Sequence, residues 1–303
     1  MTALDAGRRA HYAGFYSDDV GHPLVVVGNC QAESLRLLLD PTDERSVRVP
    51  PVFELDAAEA ARLHELVRHA RALVVQPVRD GYRGLPLGTE QLRASLPAGA
   101  RCVVVPIVRF TGLHPTQLVH HPAEGAEPMP LVPYHDLRVV RAALTGRDDV
   151  PALERGHVLA VAAASVAELR RRERHTDVAV SDLLAEPRPD DFRTVNHPGN
   201  RVLVGLASRV AAALDRPRAT DPGVGLLTSV RAPVEPVVAR TWGFGWRPEH
   251  ADWWVEGERL PASDVAAAHR AHYAAHPPLA TEVWQAHLAT ARDLGLAPWG
   301  PPR

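Results

Sequence analysis

The sequence predicts an α/β fold: an open, mainly parallel sheet with flanking helices, followed by a helical C-terminal half. Three observations predict it. Short valine-rich apolar runs recur at Pro23–Gly28, Ala72–Gln76 and Arg101–Val108, helical patterns separate the first two, and the character of the chain changes to mostly helical after about Pro133.

The first run, P-L-V-V-V-G, has no polar alternation and ends in glycine, as a parallel strand buried on both faces does. A helix is expected from about Gln31 to Leu39, with Leu35 and Leu38 on one face. Asp56 then opens D-A-A-E, the spacing at which an N-cap carboxylate and a glutamate three residues on satisfy each other's backbone N–H groups, and the helix should run to about His69. A-L-V-V-Q from Ala72 and R-C-V-V-V-P-I-V from Arg101 read as the next strands. Strand, helix, strand, helix, strand implies parallel pairing through right-handed crossovers. Beyond Pro133, helices are expected over Asp136–Leu144, Pro151–Arg174, Val178–Leu184, Pro198–Leu214, Ala262–Ala275 and Leu279–Leu294, and 215–262 is rich in Pro, Gly and Trp without a clear period. The expected organisation is an α/β catalytic domain over 1–215, with a helical insertion after 133. Residues 216–303 would add a Pro- and Trp-rich segment and C-terminal helices packed on the same domain.

Composition narrows the function. With 303 residues and 46% apolar content the chain can bury a sizeable core. The formal net charge is −2 and the positive residues form no block, so a nucleic-acid backbone is a poor partner. All 34 positive residues are arginine, which excludes Schiff-base chemistry and a P-loop lysine. No run approaches the roughly 18 apolar residues a membrane span needs, and the N-terminus shows no apolar leader, so a cytoplasmic protein is expected. Cys30 and Cys102 are too few for a disulfide framework and match no zinc spacing; no metal site is expected.

Ligands of open parallel sheets bind beyond the carboxyl ends of the strands. Gly28-Asn29-Cys30-Gln31 lies there, and Cys30 would sit beside the positive end of the following helix, which favours a thiolate. The polar neighbours Asn29, Gln31 and Glu33 are unlike an apolar slot. Cys102, within R-C-V-V-V, reads as packing. His114, in F-T-G-L-H-P beyond the third strand, is a candidate proton acceptor, and His197, in N-H-P-G-N, is its rival. Glu33, one turn after Cys30, could orient an imidazole or accept from a backbone N–H. Arg79, Tyr82 and Arg83 lie on the loop after the second strand, where guanidinium forks suit phosphate or carboxylate.

These elements come in a particular order: G-N-C-Q-A at Gly28, V-R-D-G-Y-R-G-L-P-L-G-T at Val78, P-x-x-x-F-x-G-x-H-P from Pro106 to Pro115, P-Y-H-D at Pro133 and N-H-P at Asn196. Together they resemble the WcbI family of polysaccharide-biosynthesis proteins over roughly residues 22–215. The layout is also distantly similar to SGNH/GDSL hydrolases and to flavodoxin-like sheets, with Cys30 in the serine's place. The resemblance implies a cytoplasmic acyltransferase that uses coenzyme A and acetylates a sugar, with Cys30, Glu33 and His114 as its catalytic group. The stretch from about 215, with Trp242, Trp246, Trp253 and Trp254, has no counterpart in it. The expected function is therefore transfer of an acyl group from coenzyme A to a sugar or other small hydroxyl or amine acceptor. In that reading backbone N–H groups near Asn29 to Gln31 stabilise the oxyanion, and Asn29, Gln31, Arg79, Tyr82 and Arg83 bind the cofactor. A cysteine-based thioesterase or esterase and a non-catalytic ligand-binding protein are the alternatives, and a homo-oligomer is compatible with the sequence.

Overall fold

The computed structural model describes residues 3–19, 21–42, 46–120, 127–147 and 151–297. The chain divides into two compact units, each assembled from three stretches: Met1–Val108, Leu169–Leu183 and Asn200–Leu227 form one, and Arg109–Glu168, Leu184–Gly199 and Thr228–Arg303 the other.

The first unit contains the expected parallel sheet. Strands β1 (Leu24–Val27), β2 (Ser46–Val47), β3 (Ala72–Val75) and β4 (Arg101–Val104) lie in the order β2-β1-β3-β4, every pair parallel. All four residues of β1 and of β3 are buried, which is why neither shows polar alternation. The third expected strand stops at Val104. Val105 still donates to the Val75 carbonyl (2.9 Å), but Pro106 brings no N–H to continue the ladder. The edge strand β2 was not expected, and two residues are too few to carry a period.

The crossover helices are Cys30–Leu39 and Ala57–Arg68. Asp56 and Glu59 form the capping box that the sequence announces: the Glu59 N–H donates to Asp56 (2.8 Å) and the Asp56 N–H to Glu59 (3.1 Å). Leu63, Leu66 and Val67 of the second helix are fully buried with Val25, Leu73 and Val75. Within the same unit the Asn200–Ala213 helix packs on the Cys30–Leu39 helix.

The second unit is mainly helical. Leu137–Thr145 packs against Ala262–Ala275 and Pro277–Ala286 around Leu137, Val140, Tyr273 and Val283. Two helical expectations need correction, the first of them, apart from Leu184, within the Leu169–Leu183 stretch of the first unit. Val178–Leu184 yields only a 3-10 turn over Ser181–Leu184, because the Glu173 carboxylate accepts the Val180 and Ser181 N–H groups (2.6 and 2.8 Å) and fixes an irregular backbone. Leu279–Leu294 is two helices, Pro277–Ala286 and Leu288–Asp293, broken at His287, whose φ/ψ of −118°/21° is not helical. The region without a period holds a three-stranded antiparallel sheet of Glu258–Leu260, Trp253–Val255 and Val230–Arg231. Among the described residues, no helix is long and apolar enough to cross a membrane.

Candidate functional site

Cys30 is the first residue of its helix, directly after β1 and its glycine. Two buried glutamines hold this loop. Gln31 faces Val108 with both ends of its amide: Nε2 donates to the Val108 carbonyl (2.7 Å) and Oε1 accepts from the Val108 N–H (3.0 Å) and from Gln76 Nε2 (3.3 Å). Gln76 Oε1 accepts the Asn29 N–H at 2.8 Å. Gly28 is required here, since a Cβ at that position would lie 2.4 Å from Gln76 Oε1. Asn29 caps the helix, its side chain accepting the Gln31 N–H at 2.9 Å. The result is a partly exposed thiol on a rigid turn at the positive end of a helix.

The same bonds narrow the expected oxyanion site. The N–H groups of Asn29 and Gln31 are already given to Gln76 and to the Asn29 side chain, so they are not free for a reacting oxygen. The Gln31 side chain likewise serves the backbone of Val108 rather than facing outward; it is 1% exposed. Gln76, which sequence reasoning treated only as the end of a strand, organises the turn. A polar residue closing an otherwise apolar strand was the available signal.

Glu33 lies in the first turn, and its observed partners are guanidinium groups. Arg36 binds both carboxylate oxygens at 2.8 Å and Arg48 approaches at 3.4 Å. Arg36 also donates to Ser46 on β2 at 2.9 Å, so this pair ties the helix to the sheet edge.

Arg79 and Arg83 are exposed and Tyr82 is half-buried, packed on the core of the first unit. Gly81, Arg83 and Gly84 all have left-handed backbones, with φ of 64°, 54° and 75°. For an arginine that conformation costs about 1 kcal/mol or more. It is held by a hydrogen bond from Arg83 Nη1 to the Phe53 carbonyl. A cavity of about 850 Å³ in this unit is lined by Arg8, Arg62, Glu54 and Glu59 among others and by no residue of the Cys30 turn.

The two histidines belong to the second unit. His114 is buried, with Nδ1 3.0 Å from the Pro233 carbonyl and Nε2 3.3 Å from the Phe192 carbonyl, and burial pushes its pKa down to about 4. A neutral ring has one N–H to donate, and the shorter contact assigns it to Nδ1. His197 sits in a short hairpin, Phe192–Thr194 against His197–Pro198, edge-on to Tyr134. Its Nδ1 is buried without a hydrogen-bond partner, and burial lowers its pKa. Of the two, His197 has the nitrogen not already committed to a carbonyl. Asn196 accepts from the Tyr134 and Thr194 hydroxyls (2.9 and 3.0 Å). A cavity of about 480 Å³ in this unit is lined by Tyr134 and Trp253, which stack, and by Gln117, Arg138 and Glu235.

The family model for the polysaccharide biosynthesis enzyme WcbI matches residues 23–219. The chain belongs to the WcbI family. It is therefore a member of a family of polysaccharide biosynthesis enzymes. A solved structure of WcbI, described as a novel polysaccharide biosynthesis enzyme in its native form without a disulfide bond between coenzyme A and one of its cysteines, superposes with a TM-score of 0.72. It is 20% identical and the match covers 90% of this chain and 99% of that one, a likeness that establishes the WcbI fold. No curated protein matches the chain.

Proposed function

We propose that this WcbI-family protein transfers an acyl group from coenzyme A to a hydroxyl or amine acceptor, a sugar in the first instance, with Cys30 beside the thioester. The observation that carries the reading is the placement of Cys30: a thiol outside any disulfide, at the first position of a helix, on a turn fixed by Gln31 and Gln76. A helix N-terminus stabilises the thiolate relative to the thiol by about 0.3–1 kcal/mol, and more where water is excluded. The coenzyme A named for the solved WcbI structure adds support from a related fold.

The chain's residues fit such a cofactor through the Arg79–Arg83 loop, whose exposed guanidinium groups suit its phosphates; Tyr82 supplies an adjacent ring. Bound coenzyme A would bring the activated acyl group. Asn29, through its cap and its main chain, keeps the Cys30 turn in place, and Glu33 fixes the same helix through Arg36. For the proton removed from the attacking group, His197 is favoured over His114 by its unpartnered Nδ1.

Intact-mass analysis after incubation with acetyl-CoA tests the covalent route. An adduct of one acetyl group is expected, absent from Cys30→Ser. Activity that survives Cys30→Ala without any adduct overturns it. Product analysis with and without a sugar acceptor separates transfer from hydrolysis: release of free acetate at the same rate in both identifies a thioesterase.

A further inference from the structure

From the geometry at the end of the Ala262–Ala275 helix we infer that Glu127, His272 and His276 form a binding site for a divalent transition metal of the zinc class. His272 and His276 are four residues apart, so their rings lie on one face, with centroids 4.4 Å apart. His276 Nδ1 is 3.0 Å from the His272 carbonyl. A carbonyl accepts only, so Nδ1 carries the proton and a neutral ring turns the lone pair of Nε2 outward. That Nε2 faces Glu127 Oε2 at 3.3 Å. Two lone pairs opposed at this distance repel unless a cation or a second ring proton lies between them.

The third residue points to the cation. His272 is only 9% exposed, and its Nε2 is buried without a hydrogen-bond partner, an arrangement that costs about 1–3 kcal/mol for a polar atom. The three ligand atoms lie within 4.8 Å of one another. Four-coordinate zinc, with bonds of about 2.0–2.1 Å, sets its ligand atoms about 3.3 Å apart, so the His276–Glu127 edge already has the needed length. Two imidazoles and one carboxylate suit zinc, copper or nickel; magnesium and calcium prefer sets made of oxygen. The hydrogen bond from His276 Nδ1 to a backbone carbonyl is the kind of outer contact that orients metal-binding histidines. Remaining coordination positions would be taken by water. The H-x-x-x-H spacing at 272–276 is visible in the sequence, whereas Glu127 joins it only through the fold.

The test is zinc titration of the full chain after chelator treatment, by calorimetry, with cobalt substitution as a spectroscopic readout. One equivalent should bind. His276→Ala, Glu127→Gln and His272→Gln should each weaken binding at least about tenfold, since even losing an outer contact to a ligand costs about that much. The cobalt form should show the weak visible bands of nitrogen and oxygen ligation without thiolate charge transfer in the near ultraviolet. Thermal midpoints in excess chelator verify folding; should His272→Gln lower the midpoint, the two variants at the more exposed positions decide. Unchanged affinity in His276→Ala and Glu127→Gln, a thiolate band that moves the metal to a cysteine, or no binding of zinc overturns the site.

Discussion

Replacing Gln31 by leucine should destabilise the sheet of the first unit while leaving the second unit intact. The two side chains have similar volume, so no cavity arises, and leucine gains about 1–2 kcal/mol of apolar burial. Against this, the buried Val108 N–H and C=O both lose their partner, as does Gln76 Nε2. Each unsatisfied buried group costs about 1–3 kcal/mol. Taken at about 1–2 kcal/mol for each of the three groups, the net loss is about 2–4 kcal/mol, a large share of the 5–15 kcal/mol typical of a domain. Hydrogen exchange followed by mass spectrometry reads it: at roughly 1.4 kcal/mol per factor of ten, peptides covering β1, β3 and 101–108 should exchange about 30- to 700-fold faster. Trp242, Trp246, Trp253, Trp254 and Trp284 all belong to the second unit, so their fluorescence is an internal control. An exchange rate within threefold of the parent would show that the glutamine pair does not hold the Cys30 turn.

Gly28→Ala should cost about 1–3 kcal/mol by overpacking, because the new methyl group displaces Gln76 Oε1 from the Asn29 N–H; a lowered urea midpoint with an unchanged slope is the expected result. Burial raises the pKa of Cys102, so alkylation with iodoacetamide near pH 8 should label Cys30 before Cys102 in peptide mapping; the reverse order would place the accessible thiol elsewhere. The His114 pKa of about 4, below its ordinary 6.5, means that the folded state binds fewer protons than the unfolded chain between these values. Its contribution is full above pH 6.5 and falls by about 3 kcal/mol as the pH drops to 4, so His114→Asn, which keeps a donor toward Pro233, should remove that part of the acid sensitivity in denaturation at pH 7 and pH 4.5.

The parallel sheet and the place of Cys30 were legible because burial on both faces leaves continuous valine runs and because capping residues mark helix starts in the sequence itself. Asp56 and Glu59 illustrate this best: three positions apart, they need no tertiary information. The amide pairing of Gln31 with Val108 was not legible, since it joins positions 77 residues apart and a glutamine has no periodic signature. The same holds for the engagement of Glu33 by Arg48 and for the carbonyls that occupy His114. Strands of two or three residues, such as Val230–Arg231 and Trp253–Val255, are shorter than any pattern that could announce them. The break at His287 shows tertiary context overriding a sequence that reads as one helix.

The interleaving of the two units imposes a timetable on synthesis. The first unit needs residues up to Leu227, including the Asn200–Ala213 helix that covers the Cys30–Leu39 helix, yet everything that forms its sheet has been made by Val108. At about 5–20 residues per second, translation of the intervening stretch takes about 6–24 s. During that interval the nascent sheet carries an uncovered apolar helix face. Slow codons or chaperone access between 109 and 227 would therefore act on the first unit while its Asn200–Ala213 helix is still unmade.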